Sequence, residues 1–128
     1  MSRMPGYVAL ILDAETRQDV TEYARYENKL ATHVMMAFRP SNAVYNKYKE
    51  LLGKELTFTI TAVCWDEQGE ALRVEGVPSE NEHPHITISL KAGVKPAYSN
   101  ELLRSPANEA PIPTKVLGKG TVTFVGYY

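Results

Sequence analysis

The stretch EHPHITISLK, residues 82–91, alternates polar and aliphatic side chains, and it decides how the fold is interpreted. Its aliphatic positions are Ile86, Ile88 and Leu90, and the polar positions beside them are His85, Thr87 and Ser89. Successive side chains of a β-strand point to opposite faces of the sheet, so this period of two predicts a strand. One face of that strand belongs to a core, and the other presents an imidazole and two hydroxyls.

A second stretch, ATHVMMAFRP at residues 31–40, repeats this arrangement. The residues expected on its polar face are His33, Met35 and Ala37, and those expected on its core face are Val34, Met36 and Phe38. Each of the two strands therefore starts with a histidine on its polar face. If the strands lie side by side, both imidazoles face a common groove.

The rest of the chain predicts a β-α-β-α opening followed by a part that is richer in strands. The opening comprises a strand at 6–13, a helix at 14–29 capped by Asp13, a strand at 30–38 and a helix at 41–53 capped by Ser41. The second part comprises a hairpin of 55–65 and 71–77, a strand at 85–90, a short helix from about Ser99, a proline-rich loop at 105–113 and a final strand at 115–128. We therefore expect an α+β fold, in which a mostly antiparallel sheet has helices on its outer side.

The length of the chain fits one domain spanning residues 1–128. The formal charge is −1, from 14 basic and 15 acidic residues, which argues against a basic stripe for long duplex nucleic acid and favours a small nucleotide. The single cysteine, Cys64, cannot form an intramolecular disulfide and indicates a reducing compartment. No apolar run approaches the roughly 18 residues that cross a bilayer. We expect a cytoplasmic monomer that makes no membrane contact.

Two histidines flanking a groove suit phosphodiester chemistry. A neutral imidazole can take a proton from an attacking water or hydroxyl, while a protonated one gives a proton to the leaving oxygen. The ordinary histidine pKa, about 6.5, lets both forms coexist near neutral pH. Hydroxyls two residues further along a strand, roughly 7 Å away, can bind the non-bridging phosphate oxygens as negative charge develops there. The polar face of residues 85–89 therefore predicts a phosphate-binding surface.

The segments HVMM, residues 33–36, and HITI, residues 85–88, resemble the paired His-x-Thr/Ser-hydrophobic motifs of the 2H phosphoesterase superfamily. That superfamily includes LigT-like RNA 2′,3′-cyclic phosphodiesterases, the phosphodiesterase domain of fungal tRNA ligases and phage anti-CBASS phosphodiesterases. The resemblance extends from Gly6 to about Leu103. It implies a bilobal, LigT-like α+β fold and a metal-independent hydrolase without a cofactor, in which His33 and His85 are catalytic.

The implied substrate is a nucleotide 2′,3′-cyclic phosphate, an RNA end, or a phosphodiester of a short or cyclic oligonucleotide. The corresponding roles are RNA processing and the degradation of a cyclic nucleotide immune signal. Thr87 occupies the hydroxyl position of the second motif, and we expect it to bind the phosphate.

Met35 departs from the pattern, because it occupies the position where the first motif has threonine or serine. A thioether is a weak acceptor and cannot donate a hydrogen bond to a phosphate oxygen. Thr32 is expected on the opposite strand face and does not replace the missing hydroxyl. The sequence thus leaves three possibilities: a slow enzyme, an enzyme with an altered phosphate position, or a nucleotide-binding sponge that does not cleave.

Three further residues are candidates for substrate binding. Tyr7, on the first strand, can stack on a nucleobase. Tyr98 and Ser99, at the start of the short helix, can contribute a hydroxyl and an anion site at the helix N-terminus.

An alternative interpretation uses the histidines as metal ligands. His33, His83 and His85 would bind zinc and leave a fourth position open for water, as in a zinc-dependent hydrolase. Pro84 counts against this alternative because it disturbs strand geometry between His83 and His85.

Overall fold

The computed structural model describes residues 3–22 and 24–126, with the backbone alone for residues 113–115. The strands are β1 (Tyr7–Leu12), β2 (Asn28–Lys29), β3 (His33–Phe38), β4 (Glu55–Trp65), β5 (Gly69–Glu75), β6 (His85–Leu90) and β7 (Asn108–Val125). The helices are α1 (Ala14–Thr21), α2 (Asn42–Tyr48), which continues into a 3-10 turn at Lys49–Leu51, and α3 (Tyr98–Arg104). No helix within the described ranges is long and apolar enough to cross a membrane.

The strands form one antiparallel sheet in the order β2-β6-β3-β1-β7-β4-β5. Because β5 also pairs with β6, six of these strands close into a barrel, and the short strand β2 extends the pairing of β6 at Leu90 and Ser89. The prediction of an α+β fold with a mostly antiparallel sheet is confirmed. The closure into a barrel was not predicted, and the bilobal arrangement stays a prediction.

The aliphatic faces predicted for the two histidine strands lie in the main core. Val34, Met36, Ile86 and Ile88 are fully buried there. A second, smaller cluster lies beneath α3, where Leu102 and Leu103 pack against Cys64 and Ala71. The sheet therefore buries residues on both of its faces. On β6, the side chains of Ile86 and Ile88 face the main core, and His85 and Thr87 lie on the opposite face.

Helix α1 is capped as predicted, but it is shorter than the predicted helix at 14–29. The Asp13 carboxylate accepts a hydrogen bond from Thr16 N at 2.8 Å, and the helix ends at Thr21. Beyond it, Arg25 N donates to the buried Glu70 carboxylate at 2.9 Å. These side-chain acceptors compete with the helical carbonyls and draw the chain away from a helical path. Position 23 lies outside the described residues.

The proline-rich segment 105–113, predicted as a loop, instead contributes the start of β7. This strand begins at Asn108, which pairs with Trp65, and Pro111 pairs with Ala62. Strand β1 pairs with β7 only at Gly120–Val125. Near Pro111, the edge of β7 that faces away from β4 is therefore not paired with β1. Proline is tolerated at such an edge because its missing N–H is not needed for a ladder. The final predicted strand is therefore part of β7, although residues 127–128 lie outside the described ranges.

Candidate active site

The two histidine strands are neighbours, as the sequence predicted, and they meet through Val34 and Ile86. His33 directly precedes Val34 and His85 directly precedes Ile86, so each histidine lies next to this single paired position. Residues directly opposite have Cβ atoms about 4.5–5.5 Å apart, and diagonal neighbours about 7–8 Å apart. The two imidazoles therefore lie near each other, on neighbouring strands.

A cleft of about 430 Å³ lies over this junction. Its lining residues are Tyr7, Leu30, Thr32, His33, Met35, Phe38, Asn81, His85, Thr87, Pro96, Ala97 and Asn100. Five of the seven residues predicted for the site, Tyr7, His33, Met35, His85 and Thr87, are thus brought together. Their roles in binding or catalysis stay predictions.

His85 is held in one orientation by the loop that precedes its strand. Its Nδ1 lies 2.8 Å from the backbone carbonyl of His83. A carbonyl can only accept, so Nδ1 carries the proton, and Nε2 is the nitrogen that remains for chemistry. Burial lowers the pKa of His85, and the nearby charges of His83 and Arg73 act in the same direction, while the carbonyl bond opposes them. A neutral His85 therefore has its lone pair on Nε2.

His33 has a different set of neighbours. Its Nδ1 shares a 2.7 Å hydrogen bond with the Thr32 hydroxyl. The ring of Tyr7 lies against it, with centroids 5.7 Å apart and planes inclined by 30°. Burial lowers the pKa of His33, and the charge on His85 lowers it further. The two histidines thus influence each other, and protonation of one opposes protonation of the other.

Thr87 is supported by a residue beneath it. Its hydroxyl lies 2.7 Å from the hydroxyl of Ser99, which is completely buried. If Ser99 donates, the Thr87 proton is directed to a ligand in the cleft. Ser99 contacts Thr87 from the buried side, and its predicted contact with substrate stays a prediction.

Tyr98 is not among the residues that line the cleft, and its role in substrate binding stays a prediction. Its hydroxyl donates a hydrogen bond to the carboxylate of Asp66, which raises the pKa of Tyr98 to about 12. The predicted anion site at the start of α3 is also absent from the described residues. The N–H groups of Tyr98, Ser99 and Asn100 donate to the carbonyls of Lys95, Pro96 and Ala97, respectively.

Two irregularities in the backbone change which residues reach the cleft. Ala31 has φ of 52°, a left-handed conformation that interrupts strand alternation, and Thr32 consequently lines the cleft rather than the opposite face. A bulge in the pairing of β1 with β3 separates Met35 from Ala37, so Ala37 is buried and Phe38 is 54% exposed. The strand faces predicted for the side chains of Thr32, Ala37 and Phe38 were therefore wrong.

Asn81 and Asn100 are cleft residues that the sequence analysis missed. Asn81 lies in the loop between β5 and β6, and Asn100 lies on α3. Neither position has a periodic pattern that reveals its neighbours. The run PSENEHP, residues 78–84, indicated a polar loop but not where the loop packs.

The zinc alternative has no ligand cluster among the described residues. They contain no group of three or more histidine, cysteine, aspartate or glutamate side chains placed to hold a metal ion. His83, the third proposed ligand, does not line the cleft, and its Nε2 lies 3.8 Å from the Glu82 carboxylate.

A barrel with two histidines facing a shared cleft from adjacent strands defines the class of protein, a 2H phosphoesterase. A family model described as the fungal tRNA ligase phosphodiesterase domain matches residues 7–123. The chain belongs to this family, within the 2H phosphoesterase and cyclic phosphodiesterase superfamily. No curated protein matches it in a search of such sequences.

Proposed function

We propose that this protein is a metal-independent phosphodiesterase that uses His33 and His85 as general acid and base. The observation that supports this best is that the buried His85 and the half-buried His33 line one cleft from neighbouring strands. The proposed substrate is a nucleotide or RNA end with a 2′,3′-cyclic phosphate, or a phosphodiester of a short or cyclic oligonucleotide. The corresponding roles are RNA processing and, in a phage setting, degradation of an immune signal.

In the proposed reaction a neutral imidazole removes a proton from water as the water oxygen forms a bond to phosphorus. The other imidazole, in its protonated form, gives a proton to the ribose oxygen as its bond to phosphorus breaks. The hydroxyl of Thr87 donates to a non-bridging oxygen as negative charge grows on it. No cofactor takes part in these steps.

The lining of the cleft favours a ligand with few phosphates. Tyr7, Met35 and Phe38 give it an aromatic and apolar wall that suits a nucleobase or ribose. Apart from the two histidines, the residues described as lining the cleft have no ionisable cationic side chain. We therefore favour a ligand with a single reactive phosphate, on a small nucleotide or an RNA end. We further propose that the protein acts as a single-domain monomer in the cytoplasm.

A second candidate function, a nucleotide-binding sponge of the same fold, is favoured by Met35. This residue lines the cleft at the position where the first motif of the superfamily has a hydroxyl. A sponge would bind the same ligands without converting them. The two functions differ in whether a product forms.

The test is incubation of the purified protein with nucleoside 2′,3′-cyclic phosphates, RNA ends, cyclic dinucleotides and cyclic trinucleotides, followed by mass spectrometry. The proposal expects a product heavier than a cyclic phosphate by one water, with the rate unchanged by EDTA. Binding without product would support the sponge. Loss of activity in EDTA, restored by zinc, would overturn the metal-independent mechanism.

A further inference from the structure

The position beside His85 lacks the hydroxyl that Thr87 provides beside His33. Met35 lines the cleft with both histidines, and its thioether cannot donate to a phosphate oxygen. The Thr32 hydroxyl shares its hydrogen bond with Nδ1 of His33. A second donor near the phosphate, if the cleft has one, has to come from outside strands β3 and β6.

The loop at 79–83 is fixed against this part of β3. The hydroxyl of Ser79 donates to the carbonyl of Met35 at 2.7 Å, and it accepts from Asn81 N at 3.1 Å. Glu80 N donates to the carbonyl of Met36 at 2.7 Å. Where β3 and β6 separate beyond Val34 and Ile86, this loop therefore takes over the hydrogen bonding of β3.

The same loop is anchored at two further points. The buried side chain of Tyr48 donates from its hydroxyl to the Glu80 carboxylate at 2.7 Å. The carbonyl of His83 accepts from His85 Nδ1 at 2.8 Å. Asn81 is held between these anchors, half-buried, and lines the cleft. Its backbone N–H donates to Ser79, but within the described part of the chain its side-chain amide makes no hydrogen bond.

We propose that the side-chain amide of Asn81 donates a hydrogen bond to a non-bridging phosphate oxygen in place of the hydroxyl that Met35 lacks. This inference rests on the proposed function. An amide Nδ2–H is a neutral donor, and hydrogen bonds hold the loop that carries it beside the cleft before substrate binds, so the loop backbone needs little reorganisation when charge develops. Asn81 is thus a catalytic residue that the sequence motifs do not contain, and Ser79 is a positioning residue for it.

The first test compares Asn81→Ala and Asn81→Asp with the wild type. Removal of one such donor lowers kcat by about 10²–10³ in well-studied sites, and we expect Asn81→Ala to lose at least about tenfold in kcat with a smaller change in KM. Asn81→Asp keeps the shape but replaces the donors with a negative charge, and should lose more. Asn46→Ala, at an exposed asparagine on α2, is the control and should match the wild type.

The second test is a double-mutant cycle with Met35→Thr. In the wild type, where Asn81 already donates, Met35→Thr should change kcat by less than about threefold. In the Asn81→Ala background it should restore at least about tenfold, because a hydroxyl returns to the face of His85. Ser79→Ala should lower kcat in the wild type and have no further effect in Asn81→Ala. Equal effects of Met35→Thr in both backgrounds, or a loss confined to KM, would overturn the role of Asn81.

A third measurement separates this inference from the proposed function. Inorganic phosphate is titrated into ¹⁵N-labelled protein while the His85 imidazole signals are followed by NMR. Asn81→Ala should weaken phosphate binding severalfold, and Asn46→Ala should not, whether or not the wild type turns over any substrate. Unchanged phosphate affinity in Asn81→Ala overturns the inference, whereas a wild type that binds phosphate through Asn81 but forms no product overturns only the proposed enzyme activity.

Discussion

The ladder between β4 and β7 and the junction between β3 and β6 belong to the same barrel, but they are built differently. The ladder runs from Glu55–Thr121 to Trp65–Asn108 with one irregularity, so backbone groups pair with backbone groups along it. The β3–β6 junction pairs at Val34 and Ile86, and a loop continues its hydrogen bonding. Continuous pairing leaves no space for a ligand. The cleft lies over the interrupted junction, whereas the long ladder lies elsewhere in the barrel.

The close approach of strands along β7 depends on small residues. A Cβ atom added at Gly120 would lie 2.4 Å from the carbonyl oxygen of Ile11, and one added at Gly118 would lie 2.3 Å from the ring of Phe58. In the cleft, by contrast, the residues beside the junction include larger side chains, namely the two imidazoles and the thioether of Met35. Substitutions on β7 should therefore alter folding, and those in the cleft should alter turnover.

The largest effect is expected from the histidines. His33→Ala and His85→Ala should each lower kcat by about 10²–10⁴, because each removes one partner of acid–base catalysis. The far-ultraviolet circular dichroism spectrum and much of the ligand affinity should persist. His83→Ala is the control, since it keeps the backbone carbonyl that orients His85, and its turnover should stay near that of the wild type. Near-normal turnover in either cleft variant would show that the two-histidine mechanism is wrong.

The next effect tests the other side of the barrel. Gly120→Ala forces a methyl group against the Ile11 backbone, and we expect the free energy of unfolding to fall by about 1–3 kcal/mol. Urea titration measures that change, and kcat per folded molecule should be unaffected. Thr121→Ala, at an exposed neighbouring position on β7, is the control. If Gly120→Ala instead lowers kcat without loss of stability, the separation between ladder and cleft does not hold.

Short-range patterns in the sequence predicted four of the twelve residues that line the cleft. Alternation placed His33, Met35, His85 and Thr87 on the polar sides of two strands, because period two depends on local geometry alone. The same rule failed at Phe38, where a bulge in the pairing with β1 shifts the alternation. Bulges, barrel closure and loop placement depend on residues far apart in the chain, and a single sequence does not encode them as a local pattern.

Helix lengths show the same limit. The predicted start of α1 was correct because the Asp13 cap acts on its own neighbours. Its end was not predicted, because the buried Glu70 and Ser89, more than 40 residues away, bind the backbone of Arg25. Asn81 was missed for a related reason, since its loop is held by Tyr48 and Met35 from other parts of the chain.

A moderate effect is expected from Thr87→Val, which keeps the side-chain shape and removes the hydroxyl. Loss of a charge-assisted hydrogen bond is worth about 1.5–3 kcal/mol, so kcat should fall by about 10- to 100-fold. The change also leaves the buried Ser99 hydroxyl without its partner, which should reduce stability by about 1–3 kcal/mol. Thr87→Val combined with Ser99→Ala should recover that stability but not kcat. Recovery of kcat in the double variant would mean that Thr87 acts through packing.

The smallest effect concerns pH and follows from the burial of both histidines. The pKa values of His33 and His85 are lowered from the ordinary 6.5, mainly by burial. Catalysis needs one imidazole neutral and the other protonated, so kcat/KM should be greatest below pH 6.5 and fall on the alkaline side as the acid loses its proton. A profile measured from pH 4.5 to 8.5 tests this, and an alkaline limb centred above pH 7 would contradict it.

The same lowered pKa values affect stability in a defined direction. The unfolded chain binds protons on these histidines at a higher pH than the folded chain does, so their contribution to stability is present above pH 6.5 and is lost as the pH falls below it. Between pH 6.5 and 5, the free energy of unfolding should therefore decrease less in His33→Ala/His85→Ala than in the wild type. Gly120→Ala, which changes no titratable group, should retain the pH dependence of the wild type at a lower stability. Identical pH dependence in all three proteins would mean that the cleft histidines titrate normally and that the interrupted junction does not bury them in solution.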